Sequence, residues 1–316
     1  MRLTRPSGRK FSVEDLYPKT LSAVQYMART LMTMSPGEQL PTTQEWMAGT
    51  QSGSGTVQAA LGVLEAAEAI RVAARGAQGS LLLDRHLGRL WEFSGLPPLV
   101  GALPLPYSLE FQGMATALER EFRGHSLPVR LAYVNGARAR FEGLMHRHWD
   151  FVLASRWAAE RSGDNDLTIV HQFSPGTYYA QDSVVILQRV ADREAIRTVG
   201  IDESSEDHSA LSRAEFADVD WVNVPYGQLP WLIARGTIDA AIWHTTALLP
   251  VGIMDQLVVA ALDQQPTRHL AQAMNAAVLV VRRDATVPQH LLGRLRAPVM
   301  EATQAAVCRG DDIPYA

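Results

Sequence analysis

Apolar residues recur at three- and four-residue steps between Tyr17 and Met34, where Leu21, Val24, Met27, Ala28 and Leu31 fall on one stripe. That spacing predicts an amphipathic helix with a single buried face. Ser35-Pro36-Gly37 stops it. Thr42 or Thr43 is placed to N-cap a second helix through Thr50, with Trp46 and Met47 inward, and Gln51-Ser52-Gly53 then makes a tight turn. From Ser54 a third helix carries Val57, Ala60, Leu61, Leu64 and Ala67 at core spacing and exposes Gly55, Thr56 and Gln58 in its first turn. Ile70 to Val72 and Ser80 to Leu83 read as short strands, joined by a tip of Arg75-Gly76-Ala77-Gln78-Gly79. Helices followed by a Gly-punctuated ribbon, in this order, predict a winged helix-turn-helix over residues 1–94.

The joint Gly95-Leu96-Pro97-Pro98 has the composition of a linker. Beyond it, strand-like runs at Leu99 to Leu105, Val129 to Val134 and Asp150 to Ala154 alternate with helical runs at Ser108 to Arg123 and Ala137 to Arg147. This βαβαβ order predicts a parallel sheet covered by helices. A second set follows, with strands at Val184 to Leu187, Thr198 to Ile201, Trp221 to Val224 and Ala240 to Trp243, and helices at Ser205 to Glu215 and Leu229 to Arg235. In each set a short helix ends and an aspartate, Asp150 or Asp239, opens a buried strand, which suggests two similar α/β lobes. Ala276 to Val281 is a further strand, and Pro288 to Cys308 reads as one closing helix. The expected domain covers 99–316, with lobe one at 99–180 and 257–316 and lobe two at 181–256. A chain that builds one lobe, crosses to another and returns leaves a cleft between them, where ligands of open α/β sheets bind.

Charge sharpens this division. The net charge of −4 splits into +3 over residues 1–90 and −7 over the rest. A basic end on an acidic body suits a phosphate-contacting domain joined to a small-molecule domain. No apolar run approaches the roughly 20 residues needed to span a bilayer, and MRLTRPSGRKF has no hydrophobic segment behind it, so a cytoplasmic protein with no membrane partner is expected. The single cysteine, Cys308, agrees with a reducing compartment.

The candidate chemistry is that of binding. Thr43, Ser54, Gly55, Thr56 and Gln58 lie where a helix of this motif meets the major groove, with Arg71, Arg75, Gly76 and Gln78 on the ribbon beside it. Plain N-capping by Ser54 and solvation of the others is the alternative. At the cleft, Tyr107 and Ser108 close the first strand, and Asp202, Ser204 and Ser205 do the same in the second lobe, so helix N-termini there favour a carboxylate or phosphate. Ser155 and Arg156 follow a buried strand, where arginine can take an anion bidentately or simply pair on the surface. Asn135, Tyr178, Trp243 and His244 complete the expected ligand set, the aromatic ones serving equally as lobe core. His146 and His148 have no metal-site spacing, and no GxSxG, P-loop or GxGxxG motif occurs, so neither metal, cofactor nor catalytic residue is expected.

The stretch PGEQLPTT with SGTVQAALGVLEAAEAI and RGAQGSLLL resembles the DNA-binding domain of GntR regulators. LPLPYSLEFQGMATALEREF, FVLASRWAAE, VGIDESSEDHSALSRAEF and IDAAIWH extend the likeness, over nearly the whole chain, to YhfZ-type transcriptional regulators. The resemblance implies a GntR-like winged helix ahead of a two-lobed domain similar to type 2 periplasmic binding proteins. It further implies a homodimer that reads a double-stranded DNA operator and answers to a small-molecule effector. Typical members carry arginines at the positions of Gln44, Gly55 and Gln58, so phosphate anchoring here leans on Arg71, Arg75 and the basic N-terminal tail. The competing expectations are an enzyme, or a DNA-independent sensor, built on the same two-lobed fold.

Overall fold

The computed structural model describes residues 18–76, 79–189, 196–247, 249 and 251–315. They form two compact units: the described residues up to Pro98 together with Phe122–Pro128, and Leu99–Glu121 together with the described residues from Val129 onward. The basic tail and Gln78 lie outside the described residues.

The first unit holds α1 (Pro18–Thr33), α2 (Thr43–Thr50), α3 (Ser54–Ala66), β1 (Ile70–Ala74), β2 (Ser80–Arg85) and α4 (Leu87–Ser94). Its core is the α1 stripe of Val24, Met27, Ala28 and Leu31 packed with Trp46, Val57, Ala60, Leu64, Leu82 and Leu90. Thr42 is the cap of α2. Its Oγ1 accepts from the Glu45 N–H at 3.3 Å while the Glu45 carboxylate accepts from the Thr42 N–H at 2.7 Å, a reciprocal capping box. Trp46 turns inward against Tyr26, whereas Met47, expected inward, is exposed because a helix of eight residues has room for one buried stripe only. Ser54 is not a cap either. Gly53 takes the cap position, without a side-chain hydrogen bond, and Ser54 opens the helix exposed.

The two strands pair antiparallel with a bulge between Arg71 and Val72, and Gln39 bridges to Leu81 on the outer side of β2. α4 was not foreseen. Only its Leu90, Trp91 and Phe93 mark it, and Gly88 sits against Ser126, where a Cβ would fall 2.5 Å from the Ser126 Cβ. Two of the arginines counted as basic surface have structural partners: Arg85 donates to the Leu31 and Met32 carbonyls, and Arg89 to the Ala67 carbonyl and the Glu68 carboxylate.

In the second unit, lobe one contains β3 (Leu99–Leu103), α5 (Leu109–Gly124) up to Glu121, β4 (Val129–Tyr133), α6 (Ala137–Met145), β5 (Phe151–Ser155), α7 (Arg156–Arg161) and β6 (Leu167–Pro175). The chain then crosses to β7 (Val184–Gln188), β8 (Thr198–Ile201), α8 (Glu206–Glu215), β9 (Asp220–Asn223), α9 (Leu229–Ala234), β10 (Ala240–His244), β11 (Val258–Ala260) and α10 (Gln265–Ala273). It returns as β12 (Ala276–Arg282), α11 (Thr286–Leu292) and α12 (Ala297–Arg309). The sheets run β4-β3-β5-β12-β6 and β11-β7-β10-β8-β9.

Neither sheet is purely parallel. β12 lies antiparallel to β5 and β6, and β7 antiparallel to β10 and β11, because these are the strands that enter or leave a lobe without a helical crossover. The lobe boundary also moves. β11 completes the second sheet, and Leu262, Leu270 and Met274 pack into the core of that lobe, so the chain returns near Asn275 rather than at 257. The single closing helix is two, parted over residues 293–296.

The repeat marked by two aspartates is visible as one clamp used twice. Asp150 donates its N–H to the Val100 carbonyl at 2.7 Å and accepts from the Val100 N–H at 2.8 Å. Asp239 makes the same pair with Thr198, at 2.8 Å in both directions. Each carboxylate thereby ties the start of one inner strand to the next.

Candidate functional site

Two lobes that face each other set the geometry of the second unit. The crossing segments meet where Gly176 and Tyr178 donate their N–H groups to the Asn275 carbonyl, at 3.0 and 2.9 Å. In front of this hinge the lobes are closed on one another. Asn135, after β4, donates to the Asp202 carboxylate at 2.8 Å and to Ser204 Oγ at 3.1 Å, both in lobe two. Ser155 caps α7 and donates its hydroxyl to Asp207 of α8 at 2.9 Å, Thr246 donates to Glu110 at 2.6 Å, and Ser108 bridges backbone to backbone with Ala247. Gly136 lies so near the opposite lobe that a Cβ there would be 2.2 Å from the Ser204 carbonyl oxygen.

Closure leaves a cavity of about 60 Å³. Pro104, Asn135, Ser205 and His208 line it together with Arg140, Asp207 and the rings of Tyr107, Phe111, Tyr178, Tyr179, Tyr226 and His244. Arg140, 2% exposed, donates to the Val134 carbonyl at 2.8 Å and to the Tyr178 hydroxyl at 3.2 Å, and its Nε has no partner. Asp207, equally buried, has its carboxyl pushed up to about 7 by burial, against the pull of Ser155, Arg140 and the Tyr179 hydroxyl. Burial also raises the Tyr178 phenol to about 12 and lowers His244 to about 3. His208 accepts from the Asp202 N–H on Nδ1 and meets the Ile242 carbonyl with Nε2, which fixes its neutral tautomer with the proton on Nε2. At Asp202 burial acts to raise the pKa, but hydrogen bonds from Ser204, Asn135 and the Tyr226 N–H outweigh it and hold the carboxylate ionised.

The residues expected from sequence therefore fall into three groups. Tyr107, Asn135, Tyr178, Ser205 and His244 line the cavity, while Ser155, Asp202 and Ser204 form the seam around it. Ser108 is buried as the cap of α5. Arg156 does not reach the cavity: it is half-exposed and lies 3.5 Å from Glu160 one helical turn on. Trp243 belongs to the lobe-two core, stacked on Tyr226 at 4.3 Å.

Arg140, Asp207, Tyr179, His208 and Tyr226 were missed. The signal for two of them was present. Arg140 shares the inward stripe of Ala137, Phe141 and Leu144, and Asp207 that of Leu211 and Glu215, so each is a charge on a buried face.

In the first unit, Thr43, Ser54, Gly55 and Gln58 are exposed and Thr56 is partly so. Arg71 lies 4.0 Å from Asp84 with both side chains largely in solvent, and Arg75 is exposed beside Gly76, whose φ is +57°. Among the described residues no cluster of three His, Cys, Asp or Glu side chains is set to hold a metal ion, and no helix is long and apolar enough to cross a membrane.

Residues 87–315 match the model of the YhfZ C-terminal domain family. YhfZ of Escherichia coli (strain K12) is 29% identical over 294 residues, which cover 91% of this chain and 94% of that one. The crystal structure of YhfZ from Shigella flexneri is similar with a TM-score of 0.56 and 26% identity, over 72% of this chain and 97% of the other. A weaker likeness, with a TM-score of 0.46 and 16% identity, links 69% of the chain to 96% of the periplasmic VFT2 domain of Bordetella pertussis BvgS. With the family match spanning residues 87–315, the chain belongs to the YhfZ family.

Proposed function

We propose that this protein is a ligand-responsive transcriptional regulator that binds operator DNA through its first unit and a small molecule between the lobes of its second. One observation carries the DNA-binding half. α2 and α3 are joined by the tight turn at Gln51, φ +51°, and α3 buries Val57, Ala60 and Leu64 while turning Ser54, Gly55 and Gln58 outward from its first turn. A helix so presented, with an antiparallel ribbon bearing Arg71 and Arg75 beside it, suits a winged helix-turn-helix with α3 in the major groove. Gln58 is then the base-reading side chain, and Arg71 and Arg75 the phosphate anchors.

The ligand half rests on the polar seam around an aromatic-walled cavity, which a molecule binding only the closed form would stabilise. A regulator of this kind works in the cytoplasm, as a two-fold dimer on an inverted repeat, and binds without catalysing. The test is titration of the full chain with the duplex upstream of its own gene at graded salt. A preference over a scrambled duplex that survives at 150 mM salt is expected. Equal affinity for both duplexes at low salt would remove the regulator reading.

A further inference from the structure

Taking the inter-lobe cavity as the ligand site, as proposed above, we infer that its ligand is a small zwitterion, with a carboxylate for Arg140 and an ammonium for Asp207 and the surrounding rings. A carboxylate- or phosphate-bearing ligand is the expectation from sequence, and the structure favours the carboxylate with a positive group beside it. The serines that were to supply anion-binding helix N-termini are used as caps: Ser108 accepts from the Phe111 N–H at 3.4 Å and Ser205 from the His208 N–H at 3.3 Å. Arg156, the expected anion clamp, is turned to Glu160.

What the cavity does hold is one buried cation and one buried carboxylate, each satisfied by neutral groups. Arg140 gives its hydrogen bonds to a carbonyl and a phenol, with Nε left over, and Asp207 accepts from the Ser155 hydroxyl. Neither is paired with the other at ion-pair distance. Removing a charge from water is costly unless an opposite charge and hydrogen bonds replace the lost hydration. A ligand that brings both charges satisfies both residues at once, whereas an anion alone leaves Asp207 without a counter-charge and is met only by a carboxyl that has taken up a proton.

The walls point to the same class. Tyr107, Phe111, Tyr178, Tyr179, Tyr226 and His244 surround the space, with Phe111 and Tyr178 rings 5.0 Å apart and Tyr179 and His244 rings 4.6 Å apart. Aromatic faces attract an ammonium, most strongly where water is excluded. A cavity of about 60 Å³ admits only a handful of non-hydrogen atoms without further opening. An amino acid with a short side chain, or its N-methylated form, has that size and both charges.

Calorimetric titration of the full chain with three sets of probes decides it: glycine, alanine and glycine betaine; acetate and propionate; ethylamine and ethanolamine. At least one of the first set is expected to bind, with the corresponding acid and amine at least about 10-fold weaker, the loss that follows from one charged hydrogen bond. Asp207→Asn and Arg140→Gln should each weaken the zwitterion by about 10- to 100-fold, and Arg140→Lys, which keeps the charge, by less. Circular dichroism and thermal melting separate these losses from misfolding.

Binding of acetate or propionate as tight as that of the zwitterions, or silence across the first set, would overturn the inference. If a zwitterion binds and Arg140→Gln, Asp207→Asn and Tyr179→Ala all leave its affinity unchanged, the cavity itself is misassigned, and the functional reading fails with it.

Discussion

Gly136→Ala tests whether the closed arrangement is the one that binds. The residue has φ +74° and ψ 134°, a region nearly confined to glycine, and alanine there carries strain of about 1–3 kcal/mol whether the lobes are open or closed. The second effect belongs to the closed form alone. An alanine Cβ would lie 2.2 Å from the Ser204 carbonyl oxygen, so the lobes must part by at least about 0.8 Å to reach even the tightest contact, near 3.0 Å. The same retreat stretches the bonds from Asn135 to Asp202 and Ser204, 2.8 and 3.1 Å, beyond hydrogen-bonding range. One of them is part-buried and ends on a carboxylate, the other is exposed, so their joint loss costs closure about 2 kcal/mol, most of it from the first. A ligand that requires closure should then bind about 30-fold more weakly.

Gly310→Ala is the control. Its φ is +78° and a Cβ meets nothing within 4 Å, so it should lower the melting temperature and leave affinity alone. Calorimetry with the tightest zwitterion, run beside thermal melts of both variants, reads the two effects apart. If Gly136→Ala binds like the parent while melting lower, the seam seen here is not the binding form. Equal loss of affinity in Gly310→Ala would refute the reasoning as well.

Four further outcomes follow from the same geometry. His244, whose burial lowers it to about 3, adds stability that is complete above an unfolded value near 6.5 and is lost as the pH falls; the loss is about 2 kcal/mol by pH 5, and His244→Phe should abolish that part of the acid sensitivity measured by urea unfolding. Asp207 works in the other direction: raised to about 7, it favours the fold fully below an unfolded value near 4 and loses that contribution between about pH 4 and 7. Asp207→Asn should therefore flatten the fall in melting temperature over that window. Asp239→Ala removes the acceptor of the Arg197 and Thr198 N–H groups and should cost about 1–2 kcal/mol in the same unfolding assay, discounted for a partly exposed site. Arg75→Ala should reduce the slope of log affinity against log salt by about one if it neutralises a phosphate, with no change in the ranking of DNA sequences.

Periodic elements were legible from sequence, and those with weak periodicity or contrary chemistry were not. α1, α3 and α8 carry clear apolar stripes and were placed within about two residues. α4 and α7 are eight and six residues long, too short for a repeat to show, and β6 mixes inward Leu167 and Phe173 with exposed residues. Strand direction was beyond reach because β7 and β12 are as uniformly buried as the parallel strands beside them; only the pairing partner, supplied by the other crossing, sets their sense. At the site, residues near strand ends could be named from topology, which is how Asn135, Tyr178 and His244 were found. Arg140 and Asp207 were hidden by the habit of assigning charges to solvent.

The most direct test joins the two units in one experiment: fluorescence anisotropy of the full chain on its upstream duplex, at fixed salt, with and without the zwitterion that calorimetry identifies. The account predicts a preference for that duplex over a scrambled one, a change in its affinity of at least about 5-fold on adding the ligand, and loss of that change in Asp207→Asn. A duplex affinity that stays the same when the cavity is saturated would contradict it.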